Sequence, residues 1–237
     1  MKKTGWLMMG FIVICIMADA ISIYDIQYTN IRGADNSYPS TYLGKQVTVE
    51  GIVTAVNFTG DGYFLSEPVS GAWRGIYVWD TEHKPKTGNY LRISGEVTEY
   101  FGMTCISNLN SYRILDQQRS LPSPIIISTS QLTNPLEAEA YEGVYVRLIN
   151  VSVSSIKSKN GKFMANDGSG PCSVSLGNFG TKTSLPAMGT QFLHISGIVT
   201  FSYGEYTINP ISSNDLQIQQ PVHIQTRSWG SIKSLYK

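Results

Sequence analysis

An internal repeat constrains this chain more than any other feature of its sequence. Residues 91–98 return as residues 193–200, and each copy is followed by an aromatic residue and a glycine, Phe101-Gly102 and Tyr203-Gly204. Matched positions at a nearly constant separation of about 100 residues indicate that one folding unit has been duplicated. A unit of this length has the size of a small domain and is too long for a solenoid repeat.

The first twenty residues have the pattern of an export signal. Lys2 and Lys3 form a basic start, residues 6–17 are an apolar run, and residues 18–20 are an A-x-A cleavage site. The run is too short to span a bilayer comfortably. We therefore expect a signal peptide over 1–20, cleavage after Ala20, and a secreted or extracytoplasmic protein without a transmembrane anchor. A retained N-terminal anchor helix is the alternative.

Charge and cysteine content narrow the class of protein further. The formal charge of +1 falls to zero when residues 1–20, with two lysines and one aspartate, are removed. Proteins that bind a phosphate backbone usually carry clustered Lys and Arg, and this chain does not. The mature chain keeps Cys105 and Cys172, one in each repeat. A disulfide between them would join two separate cores, so we expect two buried free thiols.

Short alternating apolar stretches predict an all-β fold. Residues 44–54 return as 143–153, and in both copies the apolar alternation changes phase, at Gly51 and at Asn150. We interpret each phase change as a β-bulge that bends a long first strand, as a small closed barrel requires. Four more strands follow in each copy, and the last two form a hairpin. Each unit is therefore predicted to be a five-stranded antiparallel barrel of the OB-fold type.

The fold class that we predict is all-β, with two tandem OB-fold-like barrels after the signal peptide. Domain 1 is placed at 21–118, domain 2 at 119–218, and a short C-terminal tail at 219–237. Residues 21–26 and 125–128 are predicted to be lead-in strands, and the connections between strands three and four to be loops. In the tail, Ser228 is predicted to cap a short helix that acts as a sorting tag, with a frayed terminus as the alternative.

Four segments of the first repeat carry a distinctive pattern, residues 23–29, 47–55, 62–65 and 94–100. They resemble the OB-fold-like accessory domains of secreted bacterial nucleases, which usually stand in front of a separate catalytic domain. The resemblance covers both repeats, but no such catalytic domain follows here. It implies a barrel of a nucleic-acid-binding type and gives no support for hydrolysis by this chain.

Groups that could perform catalysis are few. His194 lies at the strand position that Arg92 has in the other repeat, and His223 lies in the tail. Residues 80–83, with the sequence Asp-Thr-Glu-His, could hold a divalent ion, but a polar loop explains them more simply. The sequence contains no catalytic motif and no carboxylate pair common to both repeats. We therefore expect a protein that is not an enzyme and that uses no cofactor or metal.

Ligand binding is the more informative question. In an OB-fold the outward face of strands two and three, with neighbouring loops, holds oligonucleotides or oligosaccharides. If Ile76 and Val78 point into the barrel, Tyr77 and Trp79 point out of it, where rings stack on bases or sugars. The second repeat has serines at the equivalent positions of strand three. The residues that we predict to bind ligand are Tyr63, Trp73, Arg74, Tyr77, Trp79 and Arg92.

The sequence thus predicts an exported, non-catalytic protein that binds single-stranded nucleic acid through an aromatic platform on domain 1. One alternative is a carbohydrate-binding or adhesion protein that uses the same platform. Another is an accessory subunit of a secreted nuclease whose catalytic subunit is encoded separately. For the aromatic residues themselves, burial between the two domains is the alternative to ligand binding, because aromatic residues on strands usually serve packing.

Overall fold

The described part of the chain is built mainly of β-strands. The computed structural model describes residues 19–33, 37–56, 61–157, 161–179 and 184–219. Most of the predicted signal peptide and the predicted helix after Ser228 lie outside these residues. The elements of the first half are α1 (Ile23–Gln27), β1 (Gln46–Val56), β2 (Gly62–Ser66), β3 (Gly75–Trp79), β4 (Tyr90–Tyr100) and β5 (Met103–Asp116).

The second half repeats this order of strands. Its strands are β6 (Ile125–Ile126), β7 (Tyr145–Lys157), β8 (Lys162–Asn166), β9 (Cys172–Ser175), β10 (Gln191–Ser202), β11 (Glu205–Asn209) and β12 (Leu216–Ile218). Its helical elements are α2 (Pro135–Ala138) and 3-10 turns at Thr129–Leu132, Glu139–Tyr141, Gly177–Phe179 and Ser213–Asp215. Among the described helices, none is long and apolar enough to cross a bilayer.

The first sheet is a closed barrel with the order β1-β2-β3-β5-β4, and β4 pairs back onto β1. Neighbouring strands are antiparallel except β3 and β5, which are parallel, so the prediction of a purely antiparallel barrel is wrong at this pair. Strand β5 forms a hairpin with β4 and lies between β4 and β3 in the sheet. Its direction is therefore set by the hairpin, and it runs parallel to β3. The core of the barrel is mainly aliphatic and includes Val49, Leu65, Ile76, Leu91 and Ile93.

The second sheet has the same connectivity. Strands β7, β8, β9, β11 and β10 follow one another, and β10 pairs back onto β7. The pair β9 and β11 is parallel, like β3 and β5. Strands β6 and β12 extend this sheet to seven strands. The all-β fold with two tandem OB-fold-like units is therefore confirmed.

The bulges are present but do not lie where the sequence predicted. In β1 the register with β2 shifts between Val53 and Ala55, not at Gly51. Gly51 has another role, because a Cβ there would stand 3.0 Å from the Cβ of Leu65 on β2. In β7 the shift lies between Val153 and Ser155. Asn150 does adopt the left-handed backbone that its residue type favours, with φ of 52°.

The lead-in to the first barrel is a helix, so the prediction of a strand over 21–26 is wrong. Ser22 is the N-cap of α1, and its hydroxyl accepts a 3.0 Å hydrogen bond from the amide of Asp25. An N-cap of this kind satisfies one of the free amides at a helix start and favours helix over strand. The equivalent segment of the second copy is extended only at β6 before the turn at Thr129–Leu132.

Both predicted hairpins are present, with the same turn. Phe101 and Gly102 have φ of 52° and 85°, and Tyr203 and Gly204 have φ of 52° and 82°. Two left-handed residues in a row are what a type I′ turn needs, and that turn matches the twist of the adjoining strands. Each aromatic residue therefore stands at the tip of a hairpin.

The two barrels pack directly on each other through an apolar cluster. The outward side of the first barrel contributes Ala55, Phe64, Tyr77, Met103 and Cys105, and the second contributes Ile198 with Tyr145 and Ile211 at the margin. At one point the two backbones touch, because a Cβ on Gly75 would lie 2.0 Å from the carbonyl oxygen of Gly143.

Cys105 lies in this cluster between the barrels, whereas Cys172 lies in the core of the second barrel. Both are buried free thiols, as predicted. Burial raises the pKa of Cys105 to about 11 and that of Cys172 to about 12.

Candidate functional site

Two of the six predicted ligand-binding residues are buried, so the prediction that they are exposed is wrong. Tyr63 points into the first barrel, and its hydroxyl donates a 3.3 Å hydrogen bond to Oδ2 of Asp80. Burial and the neighbouring carboxylate raise its pKa well above the ordinary value. Tyr77 does point out of the barrel, but the second barrel covers its ring. For Tyr77, the alternative prediction, burial between the two domains, is therefore the correct one.

The exposure of Tyr63 was mispredicted because the two repeats were aligned one residue out of step in strand two. The inward aromatic residue of β8 is Phe163, and that of β2 is Tyr63, a separation of 100 residues. Matching the glycines Gly62 and Gly161 in the sequence pairs Tyr63 with Lys162 instead. A slip of one residue in a strand exchanges its two faces.

Three further predicted residues lie on other surfaces. Arg74 forms an ion pair with Glu67, and its guanidinium lies 5.4 Å from the ring of Tyr24 on α1. Trp73 packs edge-on against Tyr28, with ring centroids 5.5 Å apart. These two residues lie just before β3, at the opposite end of the strand from Trp79. Their side chains thus belong to the contact between α1 and the β2–β3 loop.

Arg92 is also separate from Trp79. It lies on β4 and forms a 2.9 Å ion pair with Glu50 on the neighbouring strand β1. Its partner strand is not one of the two that form the binding face of an OB-fold. The structure therefore does not bring the six predicted residues together in one site.

Trp79 is exposed, and it begins a row of aromatic rings that we call the aromatic ridge. Its ring lies 4.3 Å from Tyr100, edge to face. Tyr100 lies 4.7 Å from Phe101, and Phe101 lies 5.4 Å from Tyr203 on the second barrel. The ridge thus comprises Trp79, Tyr100, Phe101 and Tyr203, and it joins the hairpin tips of both repeats.

Three of the four members of the ridge are unusually open to solvent, and Tyr100 is half-buried. The exposed fractions are 42% for Trp79, 57% for Phe101 and 83% for Tyr203. Contiguous exposed aromatic surface is rare on proteins unless something binds there. Tyr100, Phe101 and Tyr203 were not predicted as site residues. Their signal was in the sequence, because each repeat places an aromatic residue before the glycine of its last hairpin.

A cleft between the barrels runs beside the ridge. Its volume is about 260 Å³, and its lining includes Tyr77, Phe101 and Phe201 on the apolar side. Lys162, Thr207 and Asn209 line its polar side. The ring surface therefore continues into a groove in which polar groups are available.

The end of the ridge at the second barrel is basic. The amino groups of Lys157 and Lys162 lie 3.1 Å and 2.8 Å from the two carboxylate oxygens of Glu205, which follows the Tyr203 turn. Burial opposes ionisation of Glu205, but the hydrogen bonds from both lysines outweigh it and lower the pKa of this carboxyl. Two positive charges facing one negative charge leave a net positive charge beside Tyr203.

The Asp80 loop at the other end has a structural role. Oδ1 of Asp80 accepts hydrogen bonds from the amides of Glu82 and His83. Nδ1 of His83 lies 2.9 Å from Oδ2 of Asp80, and its ring stacks on Tyr112 at 3.9 Å. Among the described residues, no three His, Cys, Asp or Glu side chains are grouped so that they could hold a metal ion.

Comparisons with known proteins identify one curated relative. The chain is 33% identical to Endonuclease YhcR of Bacillus subtilis (strain 168) over 123 residues, which are 49% of this chain and 10% of that protein. The chain thus matches only about a tenth of that relative's length. No family model matches.

Among solved structures the similarity is looser. The p204 HINb domain is 15% identical, covers 75% of this chain and 97% of its own, and has a TM-score of 0.31. The Ifi202 HINa domain in complex with 20 bp double-stranded DNA is 12% identical, covers 75% and 96%, and has a TM-score of 0.30. Overlaps this loose carry no functional argument. The chain is similar, over about half its length, to one segment of a much larger endonuclease.

Proposed function

We propose that this protein binds single-stranded nucleic acid on the aromatic ridge. The observation that carries the proposal is the exposure of Phe101 and Tyr203, which stand at equivalent hairpin tips and touch each other across the two barrels. A ring at the tip of a hairpin contributes little to a core, because it has no layer to pack against. Its open face is suited to stacking on a base, which contributes roughly 1–3 kcal/mol per base.

Several features favour a nucleic acid over other flat ligands. Lys157 and Lys162 place positive charge where a backbone phosphate would lie beside Tyr203. The turns that carry the ridge connect the last two barrel strands, and the corresponding loop is one of those that hold oligonucleotides in OB-folds. The curated relative that shares 33% identity is named as an endonuclease. The surface offers rings to bases and a small positive charge to the backbone.

We include in the proposal that the chain itself is not catalytic and that it is exported. The support for export is the pattern of residues 1–20, with two lysines, an apolar run and a cleavage site. The binding function is then that of an accessory protein outside the cytoplasm, and a nuclease catalytic subunit is the partner that the resemblance suggests. Co-purification with a nuclease activity from the culture medium would support that partner.

The test is the affinity for a fluorescently labelled single-stranded oligonucleotide of twelve mixed bases. We expect the double variant Phe101→Ala/Tyr203→Ala to bind at least tenfold more weakly than the wild type, because two stacking contacts are lost. The matched control is Tyr28→Ala, which removes an exposed ring beside Trp73 and away from the ridge. Wild-type affinity in the ridge variant, or equal losses in both variants, would contradict the proposal.

A carbohydrate ligand is the second candidate, and the near-zero charge of the mature chain favours it. Aromatic rings stack on sugar faces as well as on bases. The same proteins are therefore titrated with a panel of neutral oligosaccharides. Loss of sugar binding in Phe101→Ala/Tyr203→Ala, with no oligonucleotide binding by the wild type, would replace nucleic acid by carbohydrate as the ligand.

A further inference from the structure

A pocket opens beside Trp79, where the aromatic ridge ends on the first barrel. Its volume is about 430 Å³, and one wall is the exposed ring of Trp79. The hydroxyls of Thr98 and Ser107, which lie 2.9 Å apart on β4 and β5, contribute to its lining. A flat ring stacked on Trp79 would share the pocket with these hydroxyls.

The polar groups of the pocket favour ligands that donate hydrogen bonds. Asp80, Glu82 and Glu99 all contribute to the lining, and none of the residues that line it is a lysine or arginine. Asp80 is committed to its own loop and to Tyr63, as described above. Glu99 accepts hydrogen bonds from the amide of Ser40 and the hydroxyl of Thr104. Glu82 is exposed and lines the pocket, so its carboxylate is the acceptor that a ligand meets. A phosphate would be repelled here.

Resting on the proposed function, we infer that this pocket receives the edge of a nucleobase that carries an exocyclic amino group. Cytosine, adenine and guanine present an amino group on the edge that pairs with another base, whereas thymine and uracil have no amino group there and present a single N–H flanked by two carbonyl oxygens, which repel a carboxylate. Carboxylates are suited to accept from such amino groups, as they do from the N4 amino group of cytosine. Bases displayed on aromatic rings are read along that edge by single-strand-binding proteins.

The direction of the bound strand follows from the charges at the two ends of the ridge. Positive charge lies beside Tyr203, from Lys157 and Lys162, and negative charge lies beyond Trp79. The phosphate backbone of the nucleic acid is attracted to the Tyr203 end of the ridge and repelled from the Trp79 end. At the Trp79 end the strand therefore turns its base toward the protein and its phosphates toward solvent.

The experiment compares the affinities of the wild type for three twelve-nucleotide single strands, all dC, all dA and all dT. We expect dC and dA to bind about fivefold more tightly than dT, as one hydrogen bond to a charged acceptor allows. Glu82→Ala should bring this ratio close to one. The control Glu137→Ala removes an exposed carboxylate on α2 and the same charge, and it should leave the ratio unchanged.

The outcomes separate this inference from the proposed function. Equal affinity for the three strands, or an unchanged preference in Glu82→Ala, overturns the base pocket and leaves binding at the ridge intact. Failure of the wild type to bind any of the strands overturns both. A general rise in affinity in both glutamate variants, with an unaltered ratio, reports only the lost charge and also counts against the pocket.

Discussion

The amide of Thr104 in the first barrel donates a 2.9 Å hydrogen bond to Oε1 of Glu142 in the second. The other oxygen, Oε2, is buried as well. Glu139, close by, accepts a 2.5 Å hydrogen bond from the hydroxyl of Tyr206. Burial raises the pKa of Glu142 well above its usual range and that of Glu139 to about 7. Two carboxyl groups that resist ionisation therefore lie where the barrels meet.

This arrangement predicts that the protein is less stable at neutral than at mildly acidic pH. A carboxyl whose folded pKa is about 7, against 4.5 when unfolded, binds more protons in the folded state between those values. The free energy of unfolding should therefore fall by roughly 2 kcal/mol as the pH rises from 5 to 7.5. Urea denaturation across this range measures it. Stability that is flat or that rises over this range would contradict the assignment.

The variant that tests the cause is Glu139→Gln. It keeps an acceptor for Tyr206 but cannot ionise, so the decline above pH 5 should become shallower. Glu137→Gln, on the exposed side of α2, is the control and should keep the wild-type profile.

The contact between Gly75 and Gly143 predicts a strongly destabilising substitution. Gly143 has φ of 71°, and a Cβ there would lie 2.7 Å from the carbonyl carbon of Gly75. Gly143→Ala should therefore cost about 3 kcal/mol of unfolding free energy, from backbone strain and overpacking together. The control is Gly189→Ala, at φ of 82° with no atom within 4 Å, which should cost only about 1 kcal/mol. Equal losses would show that the barrels do not meet at this point.

Tyr77 and Trp79, two residues apart on β3, are predicted to have opposite phenotypes. Tyr77→Ala removes a ring buried between the barrels and should cost about 3 kcal/mol of stability. Trp79→Ala should leave the denaturation midpoint nearly unchanged and weaken oligonucleotide binding about tenfold. Both variants are compared by denaturation and by titration. A stability loss in Trp79→Ala as large as that in Tyr77→Ala would place Trp79 in the packing and not in the site.

The salt dependence of binding should be shallow. Two lysines near the ridge, partly neutralised by Glu205, predict a slope of log affinity against log salt no steeper than about −1.5 for a single strand. Lys157→Ala/Lys162→Ala should flatten it further, and Lys45→Ala at the start of the first barrel should not. A slope several times steeper would point to a basic surface away from the ridge.

The strands and the hairpin turns could be predicted because they depend on local signals that occur twice. Phe101-Gly102 and Tyr203-Gly204 each place an aromatic residue and a glycine between two alternating strands, and both pairs form the predicted turn. The helix α1 was missed because three apolar residues near Ser22 fit a strand as well as a capped turn.

The site was harder to predict, because it depends on how the two barrels are placed. Tyr77 points outward as its strand position requires, and only the second barrel decides that it is covered. The prediction that Tyr63 is exposed was wrong for a more local reason. In the structure Val53 pairs with Leu65 and Val153 pairs with Ala165, a separation of 100 residues between the copies, whereas matching residues 44–54 with 143–153 uses a separation of 99. The ridge itself joins Phe101 to Tyr203, which no single copy contains.

That contact between equivalent tips has a consequence for how a ligand would leave. A single unit would have one exposed ring at its hairpin tip, whereas the duplicated chain has two on one protein. A ligand can therefore bind to both rings at once, which makes its binding bivalent. A nucleic acid that dissociates from Phe101 is still bound at Tyr203. Its effective concentration near Phe101 stays high, and it rebinds there before it diffuses away. Duplication alone would then lengthen residence time without any new chemistry in either half.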